Sequence, residues 1–168
     1  FESLRARSPI TSHMWQSRLA RCIVAPVVLP HELGHALPAT VARLRSTVTL
    51  LPDWDGSQQP LGRFNAELTP STPLWVIRLV ALAPAPIFIA VAVGIRLTLS
   101  PSGPGAVATV LCCSLWAAPS GGDLAVAREP AQARAAGEFL VTTAGEERLL
   151  SDLMSVTVTA VVGAVLLA

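Results

Sequence analysis

Apolar and polar residues are arranged along this chain in long blocks, each apolar block interrupted mainly by proline and a few polar side chains. A helix rises about 1.5 Å per residue, so about 20 apolar residues are enough to cross roughly 30 Å of hydrocarbon. The pattern therefore predicts an all-α membrane protein with three or four transmembrane helices. A small polar insertion follows the first of them, and a β-hairpin is one form it can take.

The ends of these blocks define the predicted organisation. The polar insertion carries Asp-Gly and proline turn signals between short β-branched runs, and Pro84-Ala85-Pro86 is expected to kink the second span. The predicted parts are a polar N-terminal tail at 1–19, a transmembrane core at 20–127 with spans at 20–42, 73–99 and 106–123 and the insertion at 43–72, an amphipathic surface segment at 128–148, and a fourth span at 149–168.

Composition supports a membrane location and excludes one class of partner. Hydrophobic residues make up 52% of the chain and charged residues 14%, with a mean hydropathy of +0.56, whereas soluble domains have about 25% charged residues. The formal net charge is only +1, and the arginines flank apolar blocks instead of forming a basic stripe. We therefore expect a lipid bilayer as surroundings and no nucleic-acid partner.

One short motif in the first span carries chemistry: His31-Glu32-Leu33-Gly34-His35. Residues four apart lie on one face of a helix, so both imidazoles can bind one cation while Glu32 reaches a water on it. Zn²⁺ held in this way lowers the pKa of its bound water from about 15.7 to near 7. Glu32 would then take the proton and pass it to the leaving amine.

Chance is a poor explanation of this motif. With 3 histidines in the chain, independent placement produces such a spacing with a probability of roughly 0.2%. Two imidazoles and a carboxylate in an apolar span also cost several kcal/mol unless something compensates them. The alternative is that these polar residues join helices by hydrogen bonds alone.

A zinc site needs at least three protein ligands, and Asp123 is the candidate for the third. It follows Pro119-Ser120-Gly121-Gly122 at the end of the third span, which runs in the same direction as the first. The predicted depths of Asp123 and the histidines differ by only about 5–10 Å. Asp123 could also be the N-cap of the following helix, and the two roles are compatible. Pro30 and Pro38 free backbone carbonyls near the motif, as expected where a helix lines a water-filled cavity.

Residues 20–127 resemble the site-2 protease family of intramembrane zinc metalloproteases, on the His-Glu-x-x-His motif, one intervening span and a proline-containing Asp segment. The resemblance implies a core of three transmembrane helices, with His31, His35 and Asp123 as zinc ligands and Glu32 as the catalytic acid and base. It implies a membrane-embedded or membrane-adjacent peptide substrate and, for this chain, the cell membrane of a prokaryote. Trp116 stands where that family has Asn, and Leu124 where it has Gly.

Two other functions are compatible with the same residues. A non-catalytic membrane protein could retain the fold to bind or regulate a partner, and a metal-handling membrane protein could use the histidines for metal transit. For the protease, a strand near residues 46–50 is expected to hold an extended substrate by edge pairing.

Overall fold

The computed structural model describes the backbone of residues 9–50, 61–141 and 145–167, and the side chains of 22–50, 61–141 and 149–167. Most of this part of the chain is helical, with one small antiparallel sheet, which confirms the predicted helical fold with a strand-forming insertion. The elements are α1 (Pro9–Val41), β1 (Ser46–Leu50), β2 (Gly62–Ala66), α2 (Leu74–Leu82), α3 (Pro84–Leu99), α4 (Gly103–Ala117), α5 (Gly121–Arg128), α6 (Pro130–Ala136) and α7 (Gly145–Leu167).

Helix α1 carries the His-Glu-x-x-His motif and has three prolines inside it: Pro26, Pro30 and Pro38. A proline has no N–H, so the carbonyl four residues before it loses its helical partner. The helix begins at Pro9, within the stretch predicted as a polar tail, and residues 1–8 of that tail lie outside the described residues. Arg43, just after α1, adopts a left-handed conformation with φ 58°, which turns the chain toward the sheet.

The polar insertion forms a two-stranded sheet in which β1 and β2 are antiparallel, with Ser46 opposite Ala66 and Leu50 opposite Gly62. Phe64 and Ala66 are buried, so one face of β2 packs inward. The predicted turn at residues 53–56 lies outside the described residues. Beyond β2, Glu67 forms a bridge with Glu138, which brings the segment after α6 beside the sheet.

Two helix pairs are bent where proline interrupts them. Helices α2 and α3 meet at Ala83 with a bend of 47°, and α4 and α5 with a bend of 42°. Pro84 follows the first break and Pro119 lies within the second. The predicted kink at Pro84-Ala85-Pro86 therefore appears as a change of helix direction at Ala83.

Two groups of buried apolar residues hold these elements together. The first joins α1, the sheet, α2, α5 and α6 and includes Ile77, Val80 and the fully buried Ala133, so α6, in the segment predicted to lie on the surface, packs into this core. The second joins α3, α4 and α7 and includes Cys113 and Val162.

One helical stretch in the described part of the chain, Leu149–Leu167, is long and apolar enough to cross a membrane. Up to three such spans exist if each bent pair, Leu74–Leu82 with Pro84–Leu99 and Gly103–Ala117 with Gly121–Arg128, counts as one.

Candidate metal centre

The structure brings the two histidines of α1 together with Asp123 of α5. The Nε2 atoms of His31 and His35 are 3.2 Å apart. Asp123 places Oδ2 3.3 Å from His31 Nε2 and Oδ1 3.1 Å from His35 Nε2. The three side chains can offer one ligand atom each within 4.8 Å of one another, and they therefore form a group that could hold a metal ion.

Backbone carbonyls fix the orientation of both imidazoles. His31 Nδ1 lies 2.9 Å from the carbonyl oxygen of Trp116, and His35 Nδ1 lies 2.7 Å from that of Val80. A carbonyl can only accept, so each Nδ1 carries the proton and donates it. In a neutral imidazole Nε2 is then an acceptor, and both Nε2 lone pairs point toward the Asp123 carboxylate.

The Val80 carbonyl is available to His35 because of Pro84. Within a regular helix Val80 would accept the N–H of residue 84, but proline has none. The weaker bond from Ala83 N, at 3.5 Å, leaves this oxygen accessible. The break between α2 and α3 thus supplies the partner that orients His35.

Trp116 contacts α1 in two places. Its carbonyl orients His31, and its indole N–H donates to the carbonyl of Pro26 at 3.2 Å. The Pro26 carbonyl would normally accept the N–H of residue 30, which is proline. Trp116 therefore occupies a backbone acceptor that Pro30 leaves without its helical partner, and this bond holds the end of α4 against α1.

Asp123 is held by the start of its own helix. The N–H of Ser120 donates to Asp123 Oδ2 at 2.7 Å, and the N–H of Asp123 donates to Ser120 Oγ at 3.1 Å. This is a capping box in which Ser120 is the N-cap and Asp123 is the third helical residue. The N-cap role considered for Asp123 from the sequence therefore belongs to Ser120.

The spacing of the two imidazoles suits a small tetrahedral cation, because two ligand atoms that are each about 2.0–2.1 Å from such an ion stand about 3.3 Å apart and the Nε2 atoms are 3.2 Å apart. Each Nε2 is also 3.1–3.3 Å from a different oxygen of the Asp123 carboxylate, and one ligand atom from each of the three residues lies within 4.8 Å of the others. With both imidazoles neutral, three acceptors meet without a hydrogen between them. Such a set is stable when a positive charge, either a cation or an added proton, lies among them.

Glu32 lies beside this group without being one of the three candidate ligands. It is 8% exposed and packs against Gly62 of β2: a Cβ atom built at Gly62 would stand 2.8 Å from Glu32 Oε1 and 2.3 Å from Val28 Cγ1. Glycine at position 62 is what lets the strand approach α1 this closely.

A cavity of about 390 Å³ joins Glu32 to Asp123. Gly62, Arg63 and Phe64 of β2 border it on one side, and residues 139–141 border it on the other. Beside the cavity, Phe139 donates its N–H to the Asn65 side chain at 3.1 Å. The cavity thus reaches the carboxylates of both residues along a strand edge.

Aromatic rings cover the buried side of the group. The His35 ring stacks on Phe64 with centroids 5.4 Å apart, and Phe139 lies against both rings. His35 is 1% exposed, so packing as well as hydrogen bonding fixes its ring.

The structure therefore brings together the four side chains singled out in the sequence: His31, Glu32, His35 and Asp123. The carbonyls of Val80 and Trp116 and the close approach of Gly62 were not foreseen. The sequence signal for two of the acceptors is a proline four residues later: Pro30 leaves the Pro26 carbonyl without its helical partner, and Pro84 does the same for Val80. Comparison of the chain with protein-family models, curated proteins and solved structures finds no match, and the geometry of this site carries the functional inference.

Proposed function

We propose that the chain is an intramembrane zinc metalloendopeptidase, similar to the site-2 protease family, that hydrolyses peptide bonds within or next to transmembrane segments. The observation that carries the proposal is the convergence of His31 Nε2, His35 Nε2 and the Asp123 carboxylate within 3.1–3.3 Å. Glu32 beside them supplies the base that hydrolysis needs.

The distribution of side chains supports a location in the membrane. Large apolar residues are exposed on the outer faces of several helices, whereas Glu32, His35 and Asp123 are buried. Only 17% of the Leu149–Leu167 span is buried inside the protein. Contact of such apolar surface with lipid costs no free energy, whereas its contact with water does. Leucines that are more than half exposed include Leu97, Leu111, Leu115 and Leu153.

The donor set favours zinc among the metals that proteins bind. Two imidazole nitrogens and one carboxylate oxygen leave a tetrahedral ion one further position, which is the arrangement of catalytic zinc sites. Zinc in this place would supply a Lewis acid that lowers the pKa of a bound water to near 7. The Trp116 and Val80 carbonyls hold the ligands in the tautomer that this requires.

Glu32 is placed to handle protons. Its carboxylate borders the same cavity as Asp123, so a water molecule between the two lies within its reach. Glu32 would accept a proton from that water and deliver it to the leaving amine nitrogen, the role of a general base and then of a general acid.

The cavity suits an extended peptide. It lies along Gly62–Phe64 of β2, the strand whose opposite edge pairs with β1. A substrate segment that is locally unwound could add to this edge by main-chain hydrogen bonds. The bordering strand is β2, whereas residues 46–50, which the sequence favoured for this role, form β1.

Metal content and cleavage measured on the full chain test this proposal. Purified protein should hold one zinc per chain and cleave a transmembrane peptide. Glu32→Gln should retain the zinc and lose activity by about 10²–10⁴-fold. Glu129→Gln, which neutralises an exposed carboxylate at the start of α6, should change neither.

Other outcomes would favour the alternatives. Zinc binding with no cleavage by the original chain would favour metal handling. Protein that binds no zinc and cleaves no peptide would point to a binding or regulatory protein in which a protonated imidazole pairs with Asp123. Either outcome would overturn the protease.

A further inference from the structure

A second, larger cavity lies on the other side of α2 from the metal centre. Its volume is about 1360 Å³, above the roughly 300–1,000 Å³ of ordinary small-molecule pockets. The C-terminal half of α1, α2 and the start of α3 form its walls, which are mainly apolar, and we call it the α1–α2 groove. Exposed apolar side chains that line it include Leu37, Val41, Leu79 and Leu82.

The two ends of the α1–α2 groove differ in chemistry. Leu82 and Ile87 lie toward the middle of the predicted second span and Leu37 lies within the predicted first span, and charged residues are absent from this end of the groove lining. Arg43 and Arg45, just after α1, and Arg78, in the second turn of α2, line the opposite end. Arg78 also donates its Nε–H to the Ala127 carbonyl at 3.1 Å, so its two terminal nitrogens are the ones that can reach a ligand. The groove therefore presents apolar walls along its length and guanidinium groups at one mouth, with Glu67 as the acidic residue among its lining.

This arrangement has a fixed orientation relative to a bilayer. Trp75, which is 66% exposed, lies beside the arginines. Tryptophan and arginine near the end of a transmembrane segment belong at the level of the lipid headgroups. The apolar end of the groove then points into the hydrocarbon, along the direction of an acyl chain.

We propose that the α1–α2 groove binds one phospholipid with an anionic headgroup, whose phosphate contacts Arg43, Arg45 and Arg78 and whose acyl chain lies against Leu37 and Leu82. This inference rests on the membrane location proposed above and is independent of the protease reaction. Guanidinium groups bind phosphate oxygens by charge-assisted hydrogen bonds. A zwitterionic lipid would add a positive charge beside three arginines and bind less well.

The bound lipid would also contact the support of the metal centre. Val76, Leu79 and Ala83 face the groove, while the Val80 carbonyl on the other side of the same helix accepts from His35. A lipid in the groove therefore packs against the outer face of the helix that orients one metal ligand.

Quenching of Trp75 fluorescence by brominated lipid tests the proposal. The full chain is reconstituted in phosphatidylcholine vesicles that contain a small, equal fraction of acyl-chain-brominated phosphatidylglycerol or brominated phosphatidylcholine. A Trp75→Phe variant gives the contribution of Trp75 by difference. Each arginine near an anionic surface favours binding by about 1 kcal/mol, so the anionic lipid should occupy the groove at least about fivefold more readily.

Substitution of the arginines supplies the decisive comparison. The double variant Arg43→Asn and Arg45→Gln should remove most of the preference, and Arg45→Gln alone should reduce it. Asn is chosen at position 43 because it tolerates the left-handed backbone found there. Arg96→Gln, in the last turn of α3 and away from the groove, is the matched control and should retain the preference.

Four results would overturn the inference. Equal quenching of Trp75 by both lipids would mean that only bulk lipid touches the groove. A preference retained in the double variant would assign the headgroup to other residues. If neither lipid quenches Trp75 while both quench the remaining tryptophans, protein fills the groove. If no tryptophan is quenched at all, the chain is not in the bilayer, and the proposed membrane location itself fails.

Discussion

His35 donates a hydrogen bond from Nδ1 to the carbonyl oxygen of Val80, 2.7 Å away on another helix. The two residues are 45 positions apart in the sequence, and the bond exists because Pro84 cannot use the same oxygen as a helical partner. One proline therefore both bends the chain at Ala83 and supplies the acceptor that holds a candidate ligand.

Pro84→Ala should weaken zinc binding. The new N–H at position 84 would compete with His35 for the Val80 carbonyl and favour a straighter α2–α3, where the bend is now 47°. Loss of the hydrogen-bond partner that orients a metal-binding histidine lowers metal affinity by about 10–100-fold. Competition with a chelator measures it.

The control is Pro86→Ala, which restores an N–H opposite the Leu82 carbonyl instead. That carbonyl orients no ligand, so zinc affinity should stay at the original value. Equal affinities in the two variants would contradict the role given to Val80.

Trp116→Phe should destabilise the protein, and Pro30→Ala should reduce that effect. The first change removes the indole N–H from the exposed Pro26 carbonyl, and loss of a hydrogen bond of this kind costs about 0.5–1.5 kcal/mol. Alanine at position 30 returns the missing helical N–H to that carbonyl.

A double-mutant cycle compares the free energy of unfolding in detergent with proline and with alanine at position 30. The smaller ring of phenylalanine has the same effect in both backgrounds, so the difference reports the hydrogen bond alone. The cost of Trp116→Phe should be smaller by about 1 kcal/mol when position 30 is alanine. An identical cost in the two backgrounds would mean that the bond to Pro26 contributes nothing.

Gly62→Ala should impair both folding and cleavage. Its Cβ would stand 2.3 Å from Val28 Cγ1 and 2.8 Å from Glu32 Oε1, so β2 must move away from α1 or Glu32 must turn. Overpacking of this kind costs about 1–3 kcal/mol. Thermal unfolding and peptide cleavage measure the two effects.

Gly94→Ala is the comparison at an open position. A Cβ there meets no described atom within 4 Å, and alanine in a helix is more favourable than glycine by about 0.5–1 kcal/mol. Gly94→Ala should therefore leave cleavage unchanged. Normal cleavage by Gly62→Ala would contradict the tight approach of β2 to Glu32.

Ser120→Ala and Asp123→Ala should separate two roles of the capping box, which are to stabilise the start of α5 and to position Asp123 as a candidate ligand. Ser120→Ala removes one bond at the start of α5 and should cost about 0.5–2 kcal/mol of stability. The backbone N–H of residue 120 still holds Asp123 Oδ2, so one zinc per chain should remain.

Asp123→Ala removes the candidate ligand as well as the bond from the Ser120 N–H to the carboxylate. Metal content by mass spectrometry should fall well below one zinc per chain. A full complement of zinc in this variant would exclude Asp123 as the third ligand.

The local parts of the fold were open to prediction from the sequence because they depend on neighbouring residues. The spacing of His31 and His35 places both rings on one helical face, and the prolines at 84 and 86 indicate the break between α2 and α3. The position of Asp123 followed from comparing the depths of two parallel spans.

The rest depends on pairings between distant residues, for which single positions carry little signal. Asn65 meets the backbone of Phe139 across 74 positions, and Phe139 also borders the cavity beside Glu32. The Trp116 carbonyl illustrates the same limit, because any residue at the end of α4 presents a backbone oxygen whatever its side chain.

The capping box also changes what metal loading would involve. Asp123 Oδ2 is already fixed by the Ser120 N–H at 2.7 Å, and both imidazoles are fixed by backbone carbonyls. The ordering of all three side chains is thus part of folding instead of part of binding. A preorganised site of this kind would take up and release an ion without unfolding, so the metal-free and metal-bound forms would share one backbone conformation.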